Sequence, residues 1–183
     1  MEHPPLEAVL AEVAQPVLRY LERYVGDRAV AEDLQQETLV RVARSLATFE
    51  GRSSYKTWAF AIASRVAADY FRHPDRQARI VELDEASDVA DGDPEFHERL
   101  IEDEMNRCVR QVIDSLPDTY RAALVLHDLE GLSAEQVAQV CECSLANAKI
   151  RIHRARQRLK EALNKACSFY HDGDGIYRCD RKP

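Results

Sequence analysis

The sequence predicts an all-α protein: two small helical domains joined by an acidic flexible linker, the second domain carrying a helix–turn–helix. Three observations predict it. Apolar residues recur at spacings of three and four along most of the chain, and no period-two strand pattern competes with them. Residues 80–104 hold 11 acidic residues and one basic residue, Arg99, and the stretch VELDEASDVADGDPE within them has no helical period. Basic residues gather on either side: six against two acids in residues 51–79, and seven against one, Glu161, in residues 144–165.

The net charge of −7 hides this layout. A polyanion meets charge locally, within a screening length of ~8–10 Å, so the two basic zones are what it would feel. With 45% hydrophobic and 31% charged residues, six glycines and seven prolines, the chain is neither collagenous nor of low complexity. Its longest apolar runs, such as Ala59–Ala63 and Ala122–Leu126, are far short of the ~20 residues of a membrane span, so no direct membrane insertion is expected. The opening MEHPPLEAVLAE lacks the layout of a signal peptide, and five cysteines are too few and odd in number for a disulfide scaffold. A reducing, cytoplasmic setting is expected.

Each element has its signal. Leu6 to Tyr24 is apolar at helical spacing, and Pro16 should break or kink it. Asp27 can cap a helix from about Arg28 to Leu46, with Leu34, Thr38, Val42 and Leu46 on one stripe. Ser53 or Ser54 can cap a third helix from Tyr55 to Arg72, with Trp58, Ile62 and Val66 facing inward, and His73-Pro74 ends it. The acidic stretch follows as a linker. Asp93-Pro94 opens a helix that should run to about Leu116, before Pro117. Asp118 to Asp128 reads as a short helix. Ser133 with Gln136 three residues on is a capping box for a short helix ending near Cys141. Ser144 starts a long helix to about Cys167, and the turn-rich remainder shows no strand.

The short helix, the turn Glu142–Ser144 and the basic helix after it make the helix–turn–helix. Leu145, Ala148, Ile152, Ala155, Leu159 and Leu163 form the expected buried stripe of the long helix. Asn147, Lys149, Ile150, Arg151, His153, Arg154 and Arg158 lie off it, and the first turns of such a helix enter the major groove. An amide, a lysine and arginines suit base edges and phosphates, and the helix N-terminus beside Ser144 offers N–H groups to phosphate.

Together these segments carry a family resemblance. AEDLQQETLVRVARSLATFEGRSSYKTWAFAIASRVAADYFR (Ala31–Arg72) resembles the core-binding and promoter-melting region of bacterial sigma factors of the extracytoplasmic-function group. IDSLPDTYRAALVLHDLEGLSAEQVAQVCECSLANAKIRIHRARQRLKEAL (Ile113–Leu163) resembles that group's domain for the −35 promoter element. The resemblance implies a core-polymerase and −10 domain over residues 1–75, an acidic linker over 76–104 running into the next helix and a −35 domain over 105–166, and it leaves a Cys/His-containing tail over 167–183 beyond it. It implies a sigma factor that binds core RNA polymerase, through its β′ and β subunits, and directs initiation at chosen promoters, with an anti-sigma protein as a further partner. No catalytic residue and no required cofactor go with that role.

By the same resemblance, Asp33, Leu34, Gln36, Glu37, Val40 and Arg41 match the helix that docks on the polymerase β′ subunit. Arg52, Ser53, Ser54, Tyr55, Lys56 and Trp58 match the loop and helix start that engage the −10 element. Stacking and edge hydrogen bonds hold an unpaired base, and Arg65 and Arg72 suit the backbone of the separated strand. Trp58 also reads as a core residue, and Tyr55 is the better stacking candidate because it lies closer to the loop. Lys149, Ile150, His153 and Arg154 match the base-reading positions, while Ser144, Asn147, Arg151 and Arg158 suit phosphates. Asn147-Ala148 and Ile150 depart from the family's usual residues, and isoleucine offers only apolar contact.

Beyond the resemblance, Cys167, His171 and Cys179 are candidate ligands for zinc or Cu(I). Two rival readings exist: a stand-alone helix–turn–helix regulator, and a metal-dependent enzyme built on the tail. The first would need a sensor or dimerisation domain, which Ala31–Arg72 does not resemble.

Overall fold

A computed structural model describes residues 4–72 and 109–182, except 172, 174 and 176. Its N-terminal half is three helices: α1 (Leu6–Val25), α2 (Arg28–Ser45) and α3 (Tyr55–Arg72). The spacing of Val9, Val13, Val17, Tyr20, Leu21 and Tyr24 puts one face of α1 in the core, and all six are buried. The break expected at Pro16 does not occur, and α1 runs through it. Proline removes only the bond to the carbonyl four residues back, on exposed Glu12, which water can satisfy. Gly26 ends the helix at φ 81°, a conformation glycine adopts freely, and its N–H bonds Glu22 O at 3.0 Å.

Asp27 caps α2 as expected, its carboxylate accepting from Val30 N at 3.0 Å. Leu34, Thr38 and Val42 are buried, and Thr38 meets its hydrogen-bonding need by donating to Leu34 O at 2.7 Å. A 3₁₀ turn, Leu46–Thr48, closes the helix. Ser54 Oγ accepts from Thr57 N at 3.1 Å and so caps α3. Ile62 and Val66 face inward as expected, joined by Ala59, Phe60, Ala63, Ala67 and Tyr70. Trp58 also packs against the core but is only half-buried, its ring tilted against Phe49 with centroids 4.9 Å apart. The small alanines let α3 approach α1, where Tyr20 Oη and Ser64 Oγ share a hydrogen bond of 2.8 Å.

The second half begins with a helical segment α4 (109–114). Pro117 precedes α5 (Asp118–Leu124), which widens into a π-turn over Val125–Leu129, where a single short helix to Asp128 was expected. Glu130 N bonds Val125 O at 2.9 Å, the five-residue step of that turn. The predicted capping box is formed: Gln136 N donates to Ser133 Oγ at 3.2 Å, and Ser133 N to Gln136 Oε1 at 2.8 Å. It starts α6 (Ala134–Val140), and Ser144 starts α7 (Leu145–Ala166). Of the expected stripe on α7, Ala148, Ile152 and Ala155 are buried, while Leu159 and Leu163 are half-buried. Leu145, at the first position of α7, is exposed.

The tail is not strandless. β1 (Cys167–His171) and β2 (Tyr177–Arg181) form an antiparallel hairpin with Phe169 opposite Cys179. The signal was in the sequence: alternating CSFYH and YRCDR flank a DGDG turn. Lys182 N bonds Ala166 O at 2.8 Å and ties the hairpin to the end of α7. The acidic linker and the helix start at Asp93-Pro94 lie outside the described residues. Among the described residues, no helix is long and apolar enough to cross a membrane.

Candidate nucleic-acid interface

Burying Ala148, Ile152 and Ala155 leaves the opposite face of α7 to solvent, and the polar candidates stand there. Ser144, Asn147, Lys149, Ile150, His153 and Arg154 are exposed, with Ile150 retaining 48% of its surface. Ala148 fits the close crossing of α6 and α7 because it is small. Ser144 Oγ accepts from Asn147 N at 3.2 Å, leaving neighbouring first-turn N–H groups and the helix dipole outward. Two arginines are tethered within the protein. Arg158 lies over the Tyr120 ring, 4.8 Å from its centroid, and Arg151 reaches the Cys141 thiol. Burial pushes that thiol up to about 11, the neighbouring Cys143 adds to the shift, and Arg151 opposes it. At neutral pH Cys141 is therefore a protonated packing group and not a nucleophile. Arg156 is engaged in an ion pair with Asp128 of the π-turn.

The second basic surface is the loop before α3 and the outward face of that helix. Phe49 organises the loop, its ring 4.6 Å from Tyr55 and 4.9 Å from Trp58. Both candidate stacking residues thus share one aromatic cluster, half-exposed at the rim. Arg52 is exposed and paired with Glu50, and Lys56 Nζ lies 5.5 Å from the Phe60 ring. Ser54 faces solvent and Ser53 is half-buried. Trp58, Arg65 and Arg72 recur at seven and so share a face of α3. Arg72 is held by Asp69 at 3.4 Å, and Arg65 by Glu142, which belongs to the turn of the helix–turn–helix.

The docking candidates on α2 divide. Asp33, Gln36, Glu37 and Val40 are exposed, Val40 by 47%. Arg41 bridges Glu37 at 2.7 Å and Asp69 at 3.7 Å. Leu34 is only 3% exposed and belongs to the core. Its position on the α2 stripe already assigned it inward, so the docking candidates that reach solvent lie on the polar face around Val40.

The tail candidates do not assemble a metal site. Cys167, Phe169 and His171 alternate onto one face of the hairpin, where Cys179 stands opposite Phe169. The Phe169 side chain lies between the would-be ligands. Cys167 is 2% exposed at the base of the bundle, while His171 at the other end is exposed. Among the described residues no group of three or more His, Cys, Asp or Glu side chains could hold a metal ion.

Sequence reasoning missed the residues that join the two halves. Arg23 pairs with Glu130 at 2.8 Å, and the Glu130 side chain is 2% exposed. Arg121 lies over the rings of Tyr24 and Phe71, at 5.7 and 5.5 Å. Gln136 Nε2 donates to Thr57 Oγ1 at 3.4 Å. Isolated charges on separate helices carry no sequence signal of their pairing.

A helix–turn–helix with a basic outward helix, beside a helical bundle bearing a basic aromatic loop, defines a promoter-recognition factor. Two regions match known families: residues 10–77 match Sigma-70 region 2, and residues 106–159 match Sigma-70 region 4. The chain is 36% identical over 155 residues to the RNA polymerase sigma-H factor of Pseudomonas aeruginosa, covering 80% of each chain. It is 37% identical over 154 residues to the ECF RNA polymerase sigma factor SigC of Mycobacterium tuberculosis, covering 84% of this chain and 80% of that one. Its structure is similar to that of the sigma factor RpoE in complex with the anti-sigma factor NepR from Bartonella quintana. The TM-score is 0.64 at 25% identity, over 86% of this chain and 96% of that one. The chain belongs to the extracytoplasmic-function family of RNA polymerase sigma factors. As such it works with core RNA polymerase and promoter DNA to direct promoter-specific transcription initiation.

Proposed function

We propose that this sigma factor divides promoter recognition between the two basic surfaces. Lys149, Ile150, His153 and Arg154 read base edges of the −35 element, and Ser144, Asn147, Arg151 and Arg158 hold its phosphates. The observation that carries this is the exposure of the base-reading residues on a helix whose opposite face is buried. Tyr55, with Trp58 and the Ser53–Ser54 loop, accommodates unstacked −10 bases, while Arg52, Lys56, Arg65 and Arg72 follow the strand. The exposed face of α2 around Asp33, Gln36, Glu37, Val40 and Arg41 docks on the polymerase β′ subunit. The units of action are residues 1–75 for polymerase and −10 binding and residues 105–166 for the −35 element, joined by the acidic segment 76–104. The factor acts in the cytoplasm, is not itself an enzyme and needs no cofactor. An anti-sigma protein is a fitting further partner, since the similar RpoE was solved with one.

Run-off transcription with purified core polymerase on fragments of the source genome tests the reading. Discrete starts sharing two spaced elements upstream are the expected result. Starts indistinguishable from those of core polymerase alone would overturn it.

A further inference from the structure

The outward face of α7 carries an apolar side chain that its basic charge does not account for. Among the described residues five large apolar side chains are exposed, and Ile150 is the most exposed of them, at 48%. It lies two residues after buried Ala148 and two before buried Ile152. Residues two apart on a helix stand roughly 200° apart, so Ile150 points almost straight away from the packed side. One turn back on the same line is Ala146, also exposed, and exposed Asn147, His153 and Arg154 flank Ile150 at three and four residues' distance. The outermost line of α7 is thus apolar over its first two turns, the part that enters a major groove. Branching at Cβ leaves isoleucine largely one χ1 rotamer in a helix, so it loses little freedom on contact. The helix beneath it is fixed by its buried stripe and by its cap, Ser144 Oγ accepting from Asn147 N at 3.2 Å. The side chain offers no donor and no acceptor. In the major groove the 5-methyl of thymine gives it an apolar partner. The amino groups of cytosine and adenine, or O6 and N7 of guanine, would lose water against it and gain no hydrogen bond.

We propose that Ile150 is a specificity-determining residue that packs on the 5-methyl group of a thymine in the −35 element, with Ala146 leaving room for that base edge to approach. It selects in two ways: the methyl group gains an apolar contact, and a polar edge at the same step is penalised by desolvation. This rests on the reading of α7 as the −35 helix.

The test uses holoenzyme, the full chain with core polymerase, on a promoter taken from its mapped transcription starts. Each thymine of the −35 element, on either strand, is replaced in turn by deoxyuridine, which keeps every hydrogen-bonding group and lacks only the methyl. Binding of the labelled duplex is measured for wild type, Ile150→Ala and Ile150→Val, and circular dichroism verifies that each variant folds. One uracil position is expected to weaken wild-type binding about fourfold, the equivalent of ~0.8 kcal/mol for one methyl group no longer buried. The same position should make no difference to Ile150→Ala and an intermediate difference to Ile150→Val. Uracil at other positions should affect all three proteins alike. An element in which no uracil weakens wild-type binding, or a uracil effect that survives unchanged in Ile150→Ala, would overturn the proposal. Scrambling the whole −35 element is measured in parallel. A strong loss on scrambling with no thymine coupled to Ile150 refutes the isoleucine's role alone, whereas unchanged wild-type binding on scrambling refutes the functional reading beneath it.

Discussion

Single residues carry three expectations. Arg154 and Arg158 are four apart on α7, but Arg158 is held over Tyr120 while Arg154 is exposed. Arg154→Ala should cost roughly 1–3 kcal/mol at one base step and relax preference there, as binding to a set of single-base promoter variants would show. Arg158→Ala should weaken binding evenly across the same set, flatten its salt dependence and also cost about 0.5–1 kcal/mol of fold stability through the lost ring contact. Gly26 is a second point of leverage. It holds φ 81°, and a Cβ there would lie 2.9 Å from Arg110 Nη2. Gly26→Ala should therefore destabilise the fold by about 1–2 kcal/mol, read from urea unfolding. Cys141 gives a pH dependence. Its thiol rises from 9.0 to about 11 on folding, so the folded chain holds the proton more tightly than the unfolded one. That stabilisation is complete below the unfolded value and is lost as pH climbs toward the folded one. It amounts to on the order of 2 kcal/mol. Melting temperature should fall less steeply above about pH 9 in Cys141→Ala than in wild type.

At the scale of elements, the helix–turn–helix depends on its caps. Ser133 and Gln136 satisfy each other's backbone donors at the start of α6. Gln136 also reaches Thr57, so this cap and the contact between halves share a residue. The polar face of α2 is a second element, with the docking role proposed above. Gln36→Ala with Glu37→Lys should weaken core polymerase binding by at least tenfold in a titration of labelled factor, an effect on the order of 1.4 kcal/mol. Glu37→Lys breaks the pair with Arg41, but an exposed i,i+4 pair is worth only about 0.3–0.5 kcal/mol. Helical circular dichroism should therefore be retained, and a loss of polymerase binding would report the surface and not the fold.

The whole molecule behaves as one body where its two halves share buried residues. The core runs from Val9 and Tyr20 through Phe60 to Leu126, Val137 and Ile152 without a break. Differential scanning calorimetry of wild type should show a single cooperative transition. Arg23→Ala with Glu130→Ala removes both the half-exposed arginine and the buried carboxylate and leaves no orphaned charge behind. That variant should keep a single transition with only a modest change in midpoint, because the shared apolar core still couples the two halves.

The sequence by itself determined the helical class, the caps at Asp27, Ser133 and Ser144 and one at Ser53 or Ser54, the helix–turn–helix and the basic exposed face of α7. These are local properties: a cap or a period of 3.6 is settled by residues within a few positions of one another. It also contained the hairpin, in the alternation on either side of DGDG, though a short strand pair is a weak signal beside strong helical periodicity. Tertiary structure alone decided that Trp58 is only half a core residue, that Leu145 is exposed, and that Phe169 and the unequal burial of Cys167 and His171 keep the tail's ligands apart. It alone decided that Glu130 and Glu142 of one half meet Arg23 and Arg65 of the other. Pairing between residues about 80 to 110 positions apart is fixed by how the two bundles pack, and no local pattern encodes it.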